Sequence, residues 1–396
     1  MHPNRKALMK RTRENLQAEL KGVLADLTLQ QEWEDIVFAL PKAKFKHISV
    51  RGSFAAAVYE YIEAQAAEEG INLQSPSSEK LFDTELPFIA EMVITIQYLE
   101  NHILDGKDGV NPQKGLDWQA IKNKLLASHF LKDFLYGYVR NRVFPQPCRE
   151  RDILLECLRR MFQFTEEGQF AEKRWSSLEN VQNGIQGLPS WSSELEQYID
   201  YKLINQLWGY FHEYGMDANR ESFARFYLKR MYCTNALFFM LLATCVMDLA
   251  GYAGMQRENL KRFATGFGMI GQMVNDITDY LPASFGQATV AKTPEDAYSD
   301  LRNHNFTLPF LFAANDLSIV GPLRAQNLYA QKVQHTWFEW VRPACLNTAI
   351  PMLRIFAKDI SKYLGVGKSK TTIQLSDFTN VLYNKRYFRP FESNTE

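Results

Sequence analysis

The sequence is poor in the features that mark specialised protein classes. With 21 Gly and 15 Pro among 396 residues it is neither collagen-like nor low-complexity, and 46% hydrophobic against 23% charged residues excludes global disorder. Cysteine is scarce: Cys148, Cys157, Cys233, Cys245 and Cys345 are odd in number and contain no CxxC or CxxH spacing. That excludes a disulfide scaffold and reads as reduced thiols of a cytosolic protein. Neither sign of charge is in excess, since Lys plus Arg and Asp plus Glu each total 45, so no overall field favours nucleic acid or an anionic membrane. The longest apolar stretch, Ala236 to Met247, is broken only by Thr244. At about 12 residues it falls short of the roughly 20 needed to span a bilayer, so a buried core helix and no membrane span are expected. Met1 to Leu20 is rich in Lys, Arg and Glu without a continuous apolar centre, which is neither a secretory signal nor an anchor, and a cytoplasmic location is expected. Asn305-Phe306-Thr307 matches a glycosylation acceptor, which carries no meaning without secretion.

Strict alternation of apolar and polar residues is missing as well, and no repeat of about 30 to 50 residues is detectable, which disfavours strands and solenoids. Almost every segment instead reads at helical period, and an all-α fold is indicated. Breaks fall at Glu69 to Ser78, Asp105 to Leu116, Val143 to Pro147, Asn183 to Ser193, Leu281 to Pro294 and Gly365 to Lys370. They imply roughly ten to thirteen helices, and none resembles an interdomain linker, so one large domain over residues 1–396 is expected.

Two of these helices carry polar residues where apolar ones belong. In Glu91 to Asp105 (EMVITIQYLENHILD), Met92, Ile96, Leu99 and Ile103 form a core stripe, while Gln97, Asn101 and Asp105 recur every fourth residue with His102 beside them. In Gly266 to Leu281 (GFGMIGQMVNDITDYL), Met269, Met273 and Ile277 line one face and Gln272, Asn275, Asp276 and Asp279 share another. Each cluster alone is more often a solvated helix end than a site. Two such helices together point to a hard divalent cation, Mg²⁺, held by oxygen ligands between facing helices. Gly266-x-Gly268-x-x-Gly271 also matches a dinucleotide fingerprint, but Glu258 to Thr265 before it reads as helix rather than strand, so these glycines are expected to allow close helix packing.

Over roughly residues 45–320 the chain resembles the isoprenyl diphosphate synthase (polyprenyl synthetase) family and the class I terpene synthases of the same fold. The resemblance rests on landmarks in order. Asn101, His102 and Asp105 stand at the three positions of DDxxD, and LLASHFL (Leu125 to Leu131) resembles LAGDxL with His129 for Asp. Gly168-Gln169 resembles GQ, CTNALF (Cys233 to Phe238) resembles KTGALF, GQMVNDITD (Gly271 to Asp279) resembles FQxxDDxxD, and DLRNHNFTLP (Asp300 to Pro309) resembles DLREGKxTLP. The resemblance implies a single orthogonal α-helical bundle in which Mg²⁺, bound by Asn101, Asp105, Asn275, Asp276 and Asp279, bridges an allylic prenyl diphosphate to two Asp-rich helices. Asp105, Asp276 and Asp279 are then the catalytic carboxylates, and Arg51, Gln272, Lys229, Thr234 and Lys292 bind substrate. The chemical logic is that diphosphate departs only when its growing charge is neutralised in a dry site, leaving an allylic cation that aromatic faces stabilise.

The chain also departs from the family. Only Asp105 of the first motif's three carboxylates remains, and Asn275 opens the second, so metal affinity should fall. Of GGKRxRP, expected near Ile48 to Gly52, only Arg51 matches, and no RRG follows the first motif, which disfavours isopentenyl diphosphate as a second substrate. Cys233 replaces the Lys of KTG, with Lys229 one turn earlier as a replacement or a solvated lysine. About 40 residues near Glu172 to Ser222 have no counterpart. Three readings follow: a Mg²⁺-dependent class I enzyme, transferase or lyase, that ionises one prenyl diphosphate; a catalytically silent paralogue acting as a regulatory or partner subunit; and a chain-elongating synthase. The NDxxSxxxE pattern of terpene synthases is not met, since Asp279 and Ala283 stand at its Ser and Glu positions. A homodimer, or a heterodimer with a related chain, is implied. His47, His212 and His335 lack neighbours at metal spacing, and Lys385, Arg386 and Arg389 read as a solvated tail.

Overall fold

A computed structural model describes residues 3–47, 49–75, 78–104, 110–111, 115–116, 118–175, 191–279, 307–313, 341–365 and 370–382. The long helices are α1 (Pro3–Asp26), α2 (Gln31–His47), α3 (Val50–Glu69), α4 (Leu86–Leu104), α5 (Trp118–Tyr138), α6 (Arg149–Trp175), α7 (Tyr201–Glu213), α8 (Glu221–Met231), α9 (Leu237–Leu249), α10 (Arg257–Thr278), α11 (Ile350–Ser361) and α12 (Lys370–Leu382). The all-α reading holds, with one correction. Val110–Asn111 pairs antiparallel with Gly115–Leu116, a two-residue ladder inside a segment read from sequence only as a break. Two residues are too few to show alternation, so periodicity could not reveal it.

Local chemistry explains where helices stop. α3 ends at Gly70, whose φ of 69° is the left-handed conformation that glycine adopts without cost, and its N–H closes on the Ala66 carbonyl. α7 starts at Asp200, whose carboxylate accepts from the amides of Lys202 and Leu203. Between α8 and α9 the chain does not break but widens into a π-helical turn, Tyr232–Ala236. The result is a continuous helix, Glu221–Leu249, long and apolar enough to cross a membrane by length and composition, beyond what the 12-residue run suggested. It is mostly buried inside the protein and serves as a core helix.

The chain forms two compact units. The first comprises residues 1–163, 239–264 and 364–378, and the second residues 164–238, 265–363 and 379–396. In the first unit, α3 is centred on Phe54, which meets Phe239 and Phe378 edge-on at centroid distances of 5.1 and 5.8 Å. The stripe on α4 predicted from sequence is buried at Met92, Ile96 and Leu99. Arg5 ties the start of α1 to α12: it donates to the Asp377 carbonyl at 2.8 Å, lies 3.7 Å from the Asp377 carboxylate and sits 4.6 Å from the Phe378 ring centre.

In the second unit α10 buries Met269, Met273 and Ile277, as its spacing implied. A Cβ on Gly266 would overlap Ile360 of α11, so this glycine does serve close packing. Asp377→Ala removes the carboxylate 3.7 Å from a buried cation while leaving its hydrogen bond to the residue 377 carbonyl, and is expected to lower stability by about 1 to 3 kcal/mol in chemical denaturation.

Candidate functional site

The second unit gathers three of the landmarks. Gly168 on α6 lies against the π turn: a Cβ there would stand 2.8 Å from the side chains of both Cys233 and Thr234. Asn235 of the same turn donates to the Gly268 carbonyl on α10 at 2.7 Å. GQ, CTNALF and GQMVNDITD therefore pack together, held by contacts that side chains of these sizes permit.

Along α10 the polar residues have different environments. Asp276 and the adjoining Asp279 are fully buried, Gln272 is half-buried, and Asn275, on the edge of that face, is exposed. Each oxygen of Asp276 has a donor: one accepts from the Tyr227 hydroxyl and the other from the Gln272 amide at 2.8 Å. Arg230, one turn after Tyr227 on α8, supplies the nearby positive charge and is itself ion-paired to Glu172 on α6. Burial raises the Asp276 carboxyl to about 6, while Arg230 and the two hydrogen bonds act in the opposite direction.

The remaining predicted residues of this unit are also accounted for. Lys229 points its ammonium to the Tyr201 hydroxyl at 2.9 Å and to Glu196 at 3.4 Å, so its charge is already matched by a carboxylate. Thr234 turns its hydroxyl back onto the Arg230 carbonyl at 3.1 Å. Burial pushes the Cys233 thiol up, so the residue replacing the family's Lys is neutral. Sequence reasoning missed Tyr227, Arg230 and Glu172. A signal existed for Arg230, which lies three residues before Cys233 on the same helical face, whereas Glu172 comes from a distant helix that no spacing connects.

In the first unit Arg51 has company that the sequence did not announce. Glu91 on α4 accepts from the Gly52 amide at 2.8 Å and is the nearest compensating charge for both Arg51 and Lys44. Burial lowers Lys44 to about 7, with Arg51 adding to the shift and Glu91 opposing it. Its ammonium lies 4.1 Å from the Tyr98 ring centre. The Arg51 Nε is shut away from water and has no hydrogen-bond partner. On α4, Asn101 and His102 are half-buried, with the His102 ring 3.9 Å from Tyr98, and His129 on α5 is exposed. Asp105 and Lys292 lie outside the described residues, as do the Asp300 to Phe306 part of DLRNHNFTLP and residues 176–190 of the stretch near Glu172 to Ser222 that has no counterpart in the motifs.

The second motif by itself does not fit a Mg²⁺ site. Both oxygens of Asp276 are taken by the chain's own donors, Asn275 is neutral and exposed, and among the described residues no three His, Cys, Asp or Glu side chains are placed to hold a metal. Each Asp276 oxygen already accepts one of the chain's own hydrogen bonds, so a cation there would share a carboxylate held by Tyr227 and Gln272.

No protein-family model and no curated protein matches the sequence. Solved structures do. The chain is similar to a geranylgeranyl pyrophosphate synthase from Lactobacillus brevis, with 13% identity, TM-score 0.61, and 96% of this chain and 97% of that one covered. It is similar to a polyprenyl synthase from Caulobacter crescentus, solved with calcium and isoprenyl diphosphate, at 14% identity and TM-score 0.60, covering 95% of this chain and 98% of that one. A heptaprenyl diphosphate synthase from Staphylococcus aureus gives 12% identity and TM-score 0.59, covering 96% and 98%. The fold is that of the polyprenyl diphosphate synthases. It spans nearly the whole chain, beyond the residues 45–320 that carry the sequence resemblance.

A carboxyl whose folded value is raised above the usual 3.8 favours folding while protonated in the folded state. Its contribution is complete below the unfolded value, is lost as pH rises from about 4 to about 6, and is flat above. Asp276→Asn should remove that component of the stability profile, measured by urea denaturation across this pH range.

Proposed function

We propose that this chain works in isoprenoid biosynthesis on an allylic prenyl diphosphate, as a transferase or lyase of the class I type. The observation that supports this best is the packing of three landmarks, Gly168-Gln169, CTNALF and GQMVNDITD, against one another within a fold shared with prenyl diphosphate synthases. A shared fold alone does not carry function, so the support lies in the particular residues these landmarks bring together. No step is routed through a metal, because among the described residues no three His, Cys, Asp or Glu side chains are placed to hold one. Arg51 and Lys44 form a basic pair in the first unit of which Glu91 offsets one charge, and isopentenyl diphosphate remains the less favoured second substrate because only Arg51 of GGKRxRP and no RRG is present.

One observation favours a second reading, a silent paralogue that binds prenyl diphosphate or a partner subunit. Arg230, the cation acting on Asp276, and Lys229, the candidate substrate-binding cation, are each paired with a carboxylate, Glu172 and Glu196. A departing diphosphate needs cations that are not already neutralised.

Incubation of the purified chain with C10, C15 and C20 allylic diphosphates, with and without isopentenyl diphosphate and Mg²⁺, separates the readings through pyrophosphate release and mass spectrometry of products. The proposal expects release without isopentenyl diphosphate, reduced roughly a hundredfold or more in Asp276→Ala. Calorimetric binding without release would establish the silent paralogue, and longer diphosphates formed only with isopentenyl diphosphate would establish elongation. Neither binding nor release with any of them would overturn the assignment.

A further inference from the structure

Several half-buried lysines rest directly on carboxylates: Lys42 meets Glu34 at 3.1 Å, Lys132 meets Glu100 at 2.8 Å and Lys261 meets Glu258 at 2.8 Å. Lys44, half-buried on α2, is placed differently. Among the described residues no carboxylate comes within ion-pair distance of it, and its ammonium lies 4.1 Å from the centre of the Tyr98 ring. Tyr98 is 38% exposed, so the amine stands beside an aromatic face that opens to solvent.

The acid that could serve Lys44 is held elsewhere. Glu91 accepts from the Gly52 amide at 2.8 Å at the start of α3, where Arg51 brings the other positive charge. Two bases around one acid balance only when one of them is neutral. A guanidinium keeps its proton, so the change falls on Lys44, which burial and Arg51 together lower to about 7 against the pull of Glu91. The other helices packed on α2, α1 and α5, meet it through Gln17, Phe130 and Phe134, none of which titrates. His102, its ring 3.9 Å from that of Tyr98, is a further titratable neighbour. An amine drawn out of water beside a second cation is a nucleophile near neutral pH.

We propose that Lys44 is a covalent modification site for uncharged aldehydes, which it binds as an imine at Nζ beside the Tyr98 ring. The neutral amine attacks the carbonyl carbon, a C–N bond forms as the C=O double bond opens, and the carbinolamine so made loses water. Both amine hydrogens leave with the carbonyl oxygen, and nothing is oxidised or reduced. An imine nitrogen is less basic than an amine, so the product removes the second positive charge and leaves Arg51 and Glu91 as a matched pair. An aldehyde bearing its own carboxylate or phosphate would unbalance that pair, which selects the uncharged class, and the Tyr98 face favours a flat apolar one. This chemistry is separate from any reaction on a prenyl diphosphate.

Benzaldehyde with sodium cyanoborohydride, which traps the imine as a stable benzylamine, tests this on the full chain, read by peptide mass mapping. At pH 7 Lys44 should be labelled at least roughly tenfold faster than Lys46, an exposed lysine of the same helix. The ratio of the two should fall between about pH 8 and pH 10, where Lys46 gains neutral amine and Lys44 has little left to gain. 4-Carboxybenzaldehyde should give a smaller ratio than benzaldehyde. Arg51→Gln, checked for folding by circular dichroism, should lower the ratio at pH 7, because Lys44 then regains its proton beside Glu91. Labelling of Lys44 no faster than of Lys46 at pH 7, a ratio that does not change with pH, or a larger ratio for the charged aldehyde would each overturn the proposal. These three readings come from the wild type, so they decide the matter even where Arg51→Gln does not fold.

Discussion

A carboxylate taken out of water must find its charge and lone pairs satisfied by the chain around it, and the second unit is organised by that demand at Asp276. Tyr227 and Gln272 occupy its oxygens, Arg230 provides opposite charge, and Glu172 holds Arg230 in turn. Four elements of this arrangement come from α6, α8 and α10, the helices that also bring Gly168, Cys233, Asn235 and Gly268 into contact. The close packing at Gly168 and the buried charges reinforce each other. Without a side chain at Gly168 the π turn can approach α6, and that approach belongs to the same packing that places Arg230 against Glu172.

The first unit solves a related problem differently. Lys44 and Arg51 bring two positive charges to the single buried carboxylate of Glu91, so one positive charge is left over and Lys44 is the group that yields, its value falling to about 7. In the second unit Arg230 is placed between two acids; in the first, Glu91 is placed between two bases. Each cluster thus sets two like charges around one of opposite sign, a costly arrangement in a stable core and a useful one where an ionic ligand is to be met.

Much of this was legible from residue pattern. The all-α class followed from period, the faces of α4 and α10 from the spacing of Met92, Ile96 and Leu99 and of Met269, Met273 and Ile277, and the break after Glu69 from the glycine that caps α3. The fold followed from landmarks whose order is preserved although identity to the solved relatives is only 12 to 14%. What escaped was pairing at a distance. Glu172 and Arg230 lie 58 positions apart, and Glu91 and Gly52 lie 39 apart, so no local periodicity joins them. The two-residue ladder escaped because it is shorter than one period of the pattern that would disclose it. Lys229, one turn from Cys233, reads from sequence as either a replacement cation or a solvated lysine, and only its distant contacts with Glu196 and Tyr201 show where its ammonium goes.

The central claim is that Asp276 belongs to a charge network made by the chain itself. A double-mutant cycle between Arg230→Met and Asp276→Asn, followed by chemical denaturation above pH 7 where the carboxyl is ionised, measures it directly. The account predicts a coupling of about 1 to 3 kcal/mol between the two positions. Strict additivity would contradict it, because it would mean that Asp276 and Arg230 are buried side by side without either depending on the other.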